Sequence, residues 1–543
     1  MITKLILSAA AGLLALCIGD FYRLFKAILH PFLSPLRNVP GPKTDGILLG
    51  NFKALTDPEP RVMYEEWFDR LFLLDPRAVA HVLRHPGEYP KPEIFRNSLK
   101  EMLGDGLLVV EGDAHRRERR IMSPAFGAPQ IRELIGIFFD KSLQLRDIWL
   151  QETKSEKTLK KPLDTKHSLI EATRWLDKVT LDVIGLAGRF NYSFDALNPA
   201  GSLNELNQAV RDMMNSSQPS FLDLLHIIFP VTRIISSTKD RCVKNARRVM
   251  ERVGRDLLAD MKVTVQSSTV GSEGPSRKDV RSRDLLSLLV RANMANDVAD
   301  GGRLTDEEVL AQIPTFLFAG HETTSAALAW TFYALSCNPT IQEKLRTELR
   351  ACSEGDRPSM TALNNLAYLD AVVHETIRLY APVSATVRDV SKDDIIPTGM
   401  EWVDKKGVRH SGISVVKGDA IIIPILAINR SKEIWGEDAY EFKPERWSNL
   451  PPSASAIPGI WGNSLSFLGG SRACIGYRFS VMEMKAIIYT LVRTFRFSLA
   501  ADPADIQVRL PGITRPYLRN QIDKGPQLPL WVCPIEDERA AVA

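Results

Sequence analysis

Apolar residues dominate one stretch in the second half of the chain. "TDEE" at 305–308 places Thr305 three residues before Glu308, a capping box that opens a helix. The run that follows, "VLAQIPTFLFAGHETTSAALAWTFYAL", is apolar nearly all round and stops near Asn338 and Pro339. It predicts a helix of over thirty residues crossing the centre of the molecule. Most of the remaining pattern is also helical. Strand-like runs are few, "RLFLL" near 70–74 and "DAIIIPILAI" at 419–428 being the clearest. The polar segment 266–284 is rich in Ser, Gly and charge and predicts a loop. No internal repeat is present.

The middle of the long helix breaks its own pattern. Pro314 removes a backbone donor. Gly320 and the polar set His321, Glu322, Thr323 and Thr324 follow where apolar side chains belong. Buried polar groups cost free energy unless they are partnered, so the cluster predicts a cavity, ordered water or a bound group. A helix face turned to solvent is the alternative, disfavoured by the Ala, Leu, Phe and Trp on every side.

At the N-terminus, Leu5–Gly19 carries no charge, Asp20 ends the run, and apolar residues resume before the rigid "VPGP" at 39–42. Fifteen uncharged residues are short for a span, so a cleaved signal peptide competes with an uncleaved anchor. The resumed apolar character favours an anchor, spanning about 5–22 within residues 1–36. Lys plus Arg number 69 against 65 for Asp plus Glu, a balance that argues against a nucleic-acid footprint. The six cysteines, at 17, 242, 337, 352, 474 and 533, show neither zinc nor disulfide-scaffold spacing and read as reduced thiols. The sequons at Asn191, Asn215 and Asn429 are therefore expected to be empty.

Cys474 stands in "FLGGSRACIG", where Phe467, Gly470, Arg472, Cys474 and Gly476 fit Phe-x-x-Gly-x-Arg-x-Cys-x-Gly. At ordinary residue frequencies, five such positions coincide by chance on the order of once in ten thousand chains. Upstream lie "AGHETT" at 319–324, "ETIR" at 375–378 and "PERW" at 444–447. In this order and spacing they resemble the cytochrome P450 family of haem-thiolate monooxygenases, of the membrane-anchored fungal type, from about Pro40 to Pro529. The resemblance implies a mainly α fold: a large helical catalytic domain over 37–543 with small β-sheets, behind the N-terminal anchor.

It also implies roles, position by position. Cys474 ligates the iron of haem b as a thiolate, which needs a depressed thiol pKa and donates electron density that favours O–O cleavage. Phe467, Gly470 and Gly476 shape its loop. Thr323 hydrogen-bonds the bound dioxygen and Glu322 relays protons, while Ala319 and Gly320 open a notch in the helix. Arg472, Arg388, His115 and Arg119 hold the haem propionates, His115 standing where the wider family more often has Trp. Glu375, Arg378 and Arg446 form a structural ionic triad. Electrons come from NADPH through NADPH–cytochrome P450 reductase, with cytochrome b5 as an optional donor, docking on Arg116 and Arg117. The substrate is a lipophilic small molecule of terpenoid or polyketide type, received by the loop around Phe95–Leu108, by Phe316 and Ala319, and by Val383, Ser384, Ala385 and Thr386. The location implied is the endoplasmic reticulum membrane, with the catalytic domain in the cytosol.

One departure stands out. "YEEWFDR" at 64–70 runs directly into "LFLLDPRAV", where relatives carry a Tyr-Gly turn and two strands. An apparent deletion near 70–71 would leave an apolar strand edge unpaired. Two alternatives remain open at this point: a haem-binding protein without turnover, and a haem isomerase or dehydratase that needs no reductase. The Glu322–Thr323 pair argues against the latter.

Overall fold

The structure, a computed structural model, describes residues 33–40, 73–155, 164–188, 237–268, 285–294, 303–509 and 512–535, with a few short pieces elsewhere. The anchor span, the apparent deletion at 70–71 and the polar loop beyond Ser268 lie outside the described residues.

The N-terminal half is built from α1 (Pro76–Arg84), α2 (Glu93–Leu103), α3 (Gly112–Met122), α4 (Ala128–Lys154), the strands β1 (Lys160–Lys161) and β2 (Asp164–Glu171), then α5 (Ala172–Ala187), α6 (Thr238–Ser268) and α7 (Leu285–Met294). The long central helix is α8 (Asp306–Cys337), followed by α9 (Pro339–Ala351), α10 (Met360–Asn365) and α11 (Ala367–Leu379). Next come β3 (Thr386–Asp389), β4 (Asp394–Val403), β5 (Arg409–Val415), β6 (Ala420–Ile423), α12 (Ile425–Asn429) and α13 (Lys432–Trp435). The chain closes with α14 (Tyr477–Thr494), β7 (Phe495–Leu499), β8 (Ile506–Arg509), β9 (Arg515–Leu518) and β10 (Pro529–Pro534).

The fold is mainly α and, among the described residues, has one four-stranded sheet in the order β1-β2-β10-β7 and three two-stranded ribbons, β3-β6, β4-β5 and β8-β9. Every pairing is antiparallel, and Leu530 of β10 lies opposite both Ile170 and Leu499.

Helix α8 starts where the sequence places it. The Thr305 hydroxyl accepts from the Glu308 N–H at 3.1 Å, and Glu308 accepts from the Thr305 N–H at 2.9 Å. Its 32 residues extend about 48 Å. Apolar on nearly all faces, it packs along α5 and against α14, and α14 in turn lies along α4. Trp330 stacks on Tyr380 at 4.9 Å and donates its indole N–H to the Thr514 carbonyl at 3.0 Å, tying α8 to the start of β9.

Two sequence expectations change here. "DAIIIPILAI" is half strand and half helix: Pro424 cannot donate to a ladder, so β6 ends at Ile423 and α12 begins. Leu73, from "LFLL", lies outside any regular strand, yet its N–H donates to the Ile422 carbonyl at 2.9 Å and its side chain is buried. This part of the edge of β6 is therefore covered.

Asn429 is fully buried, donating to Ser466 and accepting from the Leu465 N–H. No glycan could reach it. Asn191 and Asn215 fall outside the described residues.

Candidate functional site

The loop bearing Cys474 is moulded onto α1. Gly470 has a φ of +68°, and a Cβ there would stand 2.4 Å from the Leu83 carbonyl oxygen, so only glycine fits. The Cys474 N–H donates to the Phe467 carbonyl at 2.9 Å, closing the loop immediately before α14. A Cβ on Gly476 would meet only the Phe126 ring at 3.7 Å, an ordinary contact.

The sulfur environment is mixed. Burial pushes the Cys474 thiol up, while a hydrogen bond from the Gly476 backbone and the charge of Arg119 pull it down. Cys474 nevertheless keeps open surface of its own amid the surrounding protein.

Cations gather beside it. Arg472 donates to the Val110 carbonyl at 3.0 Å and pairs with Glu111, and Arg388 donates to Thr386 Oγ1 and the Val387 carbonyl at 2.6 and 2.7 Å. Burial, with Arg472 adding to it, lowers Arg388 to about 10 against the pull of Glu111. Lys91 joins the group: burial lowers it to about 8, Glu111 opposes this, and Arg472, Arg388 and Arg96 reinforce it. His115 falls to about 3 through burial and the neighbouring Arg472, Lys91, Arg119 and Arg116, so its ring is neutral near pH 7.

The surplus of buried positive charge over Glu111 suits a ligand bearing carboxylates, and the nearby enclosed thiol suits a metal. Haem b carries two propionates and an iron, and the donor set fits it. Lys91 is a member the sequence reading missed; it is masked between Pro90 and Pro92 in "YPKPE".

On α8, the polar set is interior rather than turned to solvent. His321, Glu322 and Thr324 are buried, while Ala319 and Thr323, one turn apart, are half-open on one face. Thr323 Oγ1 donates to the Ala319 carbonyl at 2.7 Å. Glu322 pairs with Arg515 of β9 at 2.6 Å, a partner without a signal in the sequence. Gly320 serves helix packing. A Cβ there would come within 2.8–2.9 Å of the Ile184 side chain, so its bareness lets α5 pack closely on α8.

Glu375 and Arg378 form a fully buried bidentate pair at 2.8 Å, with Arg446 Nε 3.4 Å from Glu375 Oε1.

Two further expectations are corrected, for Arg117 and for the loop at 95–108. Arg117 is ion-paired to Glu308 of α8 and half-buried, so of the basic face only Arg116 and Arg120 are exposed. Phe316 is a core residue stacked on Phe126 at 5.5 Å, and most of 95–108 is helix α2 rather than loop.

The remainder, Gly104–Leu108, is pressed onto α8. A Cβ on Gly106 would lie 2.3 Å from Thr315 Oγ1 and 2.7 Å from the Ala311 carbonyl oxygen. Gln312 fastens this segment: it accepts from the Leu107 N–H at 3.0 Å and donates to Glu118 of α3 at 3.0 Å. Glu118 is fully buried, and its other oxygen lacks a partner among the described residues. Burial raises its carboxyl to about 7, against the hydrogen bond from Gln312.

The native state thus keeps a proton to about pH 7 that the unfolded chain releases near 4.5. The resulting stability is full below pH 4.5 and is lost as pH rises through about 7, on the order of 3 kcal/mol in all. Glu118→Gln should flatten that dependence and raise stability at pH 8, as urea unfolding across pH would show. A wild-type slope in the variant would assign the titration elsewhere.

Helical body, cysteine loop, buried cation cluster and a central helix carrying interior polar groups together define a haem-thiolate oxygenase. The cytochrome P450 family model matches residues 67–523, and the chain belongs to this family. It is 46% identical over 540 residues to cytochrome P450 monooxygenase 205 of Postia placenta (strain ATCC 44394 / Madison 698-R), covering 96% of this chain and 97% of that protein. Cytochrome P450 monooxygenase 128 of the same organism is also 46% identical, covering 94% and 95%. Cytochrome P450 monooxygenase claP of Ampulloclitocybe clavipes is 31% identical, covering 93% and 94%. The protein is accordingly a haem b monooxygenase that receives NADPH-derived electrons through a redox partner and acts on a lipophilic substrate. Among the described residues, no helix is long and apolar enough to cross a membrane.

Proposed function

We propose that Cys474 is the iron ligand and that Glu322 and Thr323 deliver the protons that commit dioxygen to cleavage. Haem b supplies the oxidising chemistry once it is bound through Cys474. Arg472, Arg388, His115, Arg119 and Lys91 bind its propionates, and Gly470 and Gly476 let the loop backbone approach the sulfur. Phe467 packs between Trp461 and Tyr477 and supports the ligand loop.

The half-open Ala319–Thr323 face, with the Thr323 hydroxyl on the Ala319 carbonyl, is the single observation that carries the assignment of the distal side. With haem b in place, the Thr323 hydroxyl would turn from that carbonyl toward the open side of α8 and present its proton there. Glu322 can then return the proton from water. The reaction consumes one O2, two electrons from NADPH and two protons; one oxygen atom enters a C–H or C=C bond of the substrate and the other leaves as water.

The substrate is a terpenoid- or polyketide-like secondary metabolite, received beside exposed Val383 and the Gly104–Leu108 segment. The donor is NADPH–cytochrome P450 reductase, with cytochrome b5 secondary, docking on the exposed Arg116 and Arg120. Residues 1–36 form the anchor to the endoplasmic reticulum and 37–543 the catalytic domain.

The reduced, CO-bound spectrum and product per NADPH test this reading. Thr323→Ala should keep the thiolate-type band but divert electrons into free hydrogen peroxide. Glu322→Gln should slow turnover on the order of 10²-fold, as expected for loss of a positioned proton donor. Unchanged coupling in both variants would remove the pair from the mechanism.

A further inference from the structure

We propose that Arg515 and Asp177 are positioning residues for proton delivery, forming a clamp that holds Glu322 from two other elements of the fold. This rests on the reading of Glu322 as the proton donor and extends it to groups distant in sequence.

Arg515 stands at the first position of β9, and the strand start is fixed to its surroundings. The Thr514 N–H donates to the Pro382 carbonyl and its hydroxyl to the Ala381 carbonyl, both at 2.8 Å, while the Thr514 carbonyl accepts from Trp330 of α8. From this point the guanidinium reaches two carboxylates. Nη2 lies 2.6 Å from Glu322 Oε2 on α8, and Nη1 lies 3.1 Å from both carboxylate oxygens of Asp177 on α5. Ser325, one turn along α8 from Glu322, donates to Asp177.

The other facing groups are His321 on α8 and Tyr517 on β9. Burial keeps His321 low and neutral, so it does not add a second positive charge. Burial opposes the charge on Arg515, but Asp177 and Glu322 outweigh it and raise Arg515 above its ordinary value. Burial would likewise raise Asp177; the charge of Arg515 and the hydrogen bonds from Arg515 and Ser325 override it, and the carboxyl lies below its ordinary range.

Two carboxylates therefore share one guanidinium, and their openness is graded. The Asp177 side chain is 31% exposed, Glu322 10% and Arg515 8%. Asp177 is the wetter end and Glu322 the drier one beside Thr323. In a poorly solvated site, a carboxylate is favoured by a cation beside it. Arg515 is that cation for Glu322 at 2.6 Å, and its contact with Asp177 fixes where it stands.

The test uses the full-length haem protein with its reductase. Arg515→Met is expected to keep the thiolate-type CO band and a KM within about twofold of wild type. Its kcat should fall on the order of 10²-fold with a matching rise in peroxide per NADPH. Arg515→Lys should recover part of the loss, and Asp177→Asn should disturb coupling less than Arg515→Met. A folded Arg515→Met with wild-type kcat and peroxide yield overturns the clamp.

Unfolding supplies a readout independent of turnover. Arg515→Met and Glu322→Gln should lower the urea midpoint less together than the sum of the single shifts, because the double variant leaves no unpaired Glu322 charge. Additive shifts overturn the contact. If Arg515→Met does not fold, the same cycle with Arg515→Lys decides.

Glu322→Gln alone separates the two readings. Full turnover in that variant removes Glu322 as donor, and the clamp as its positioner with it. Slow turnover there beside wild-type Arg515→Met removes only the clamp.

Discussion

Cys474→Ser is expected to abolish the thiolate-type band of the reduced, CO-bound protein and to bring product formation down to background. The reason is electronic rather than steric. Thiolate donation to iron promotes O–O cleavage, and a serine hydroxyl does not ionise in its place under the same conditions. The loop itself should survive the change. Gly470 stays fixed against Leu83 and residue 474 keeps its backbone bond to Phe467, so global unfolding should shift little. The measurement is the CO-difference spectrum together with circular dichroism. An unaltered band would remove Cys474 as the iron ligand.

The second large effect is on folding. Glu375 accepts from Arg378 twice, from the Lys443 N–H and from Trp447 Nε1 at 3.0 Å each, and faces Arg446. Arg378 also donates to the Asn429 and Ala439 carbonyls at 2.7 Å, and Arg446 to the Trp435 carbonyl at 3.0 Å and to Asp438 at 2.6 Å. The network stitches α11 to the irregular chain from Asn429 to Trp447, which has little regular secondary structure of its own.

Glu375→Ala leaves the Arg378 charge fully buried without its partner. Breaking such a pair costs about 3–5 kcal/mol, against a total stability of about 5–15 kcal/mol for a typical domain. The variant should accumulate poorly and bind little haem, as thermal unfolding and the haem-to-protein ratio would show. A stable, haem-replete Glu375→Ala protein would reduce the triad to an incidental contact.

Local chemistry left clear marks in the chain. The capping box at Thr305, the all-round apolar run after it, the glycine–arginine–cysteine loop and the three-residue spacing of Glu375 and Arg378 depend on neighbours a few positions away, so each was legible. The interior polar set of α8 was also visible, because an apolar helix does not tolerate such residues without a reason.

What escaped were the distant partners that carry no motif of their own. Arg515 meets Glu322 only because Trp330 and Pro382 hold the start of β9, and Asp177 only because Gly320 lets α5 settle on α8. The fastening of Gly104–Leu108 by Gln312 depends in the same way on contacts between separate helices.

By itself, then, the sequence determined the family, the glycine–arginine–cysteine loop, the central helix and the buried ion pair, since short-range spacing and patterning specify these. Tertiary structure alone decided that Arg117 is tied to Glu308, that Phe316 is core, that Gly320 serves helix packing and that Glu322 is paired. Each of these follows from which surfaces meet when the helices are packed, and burial and charge pairing take their values from that meeting.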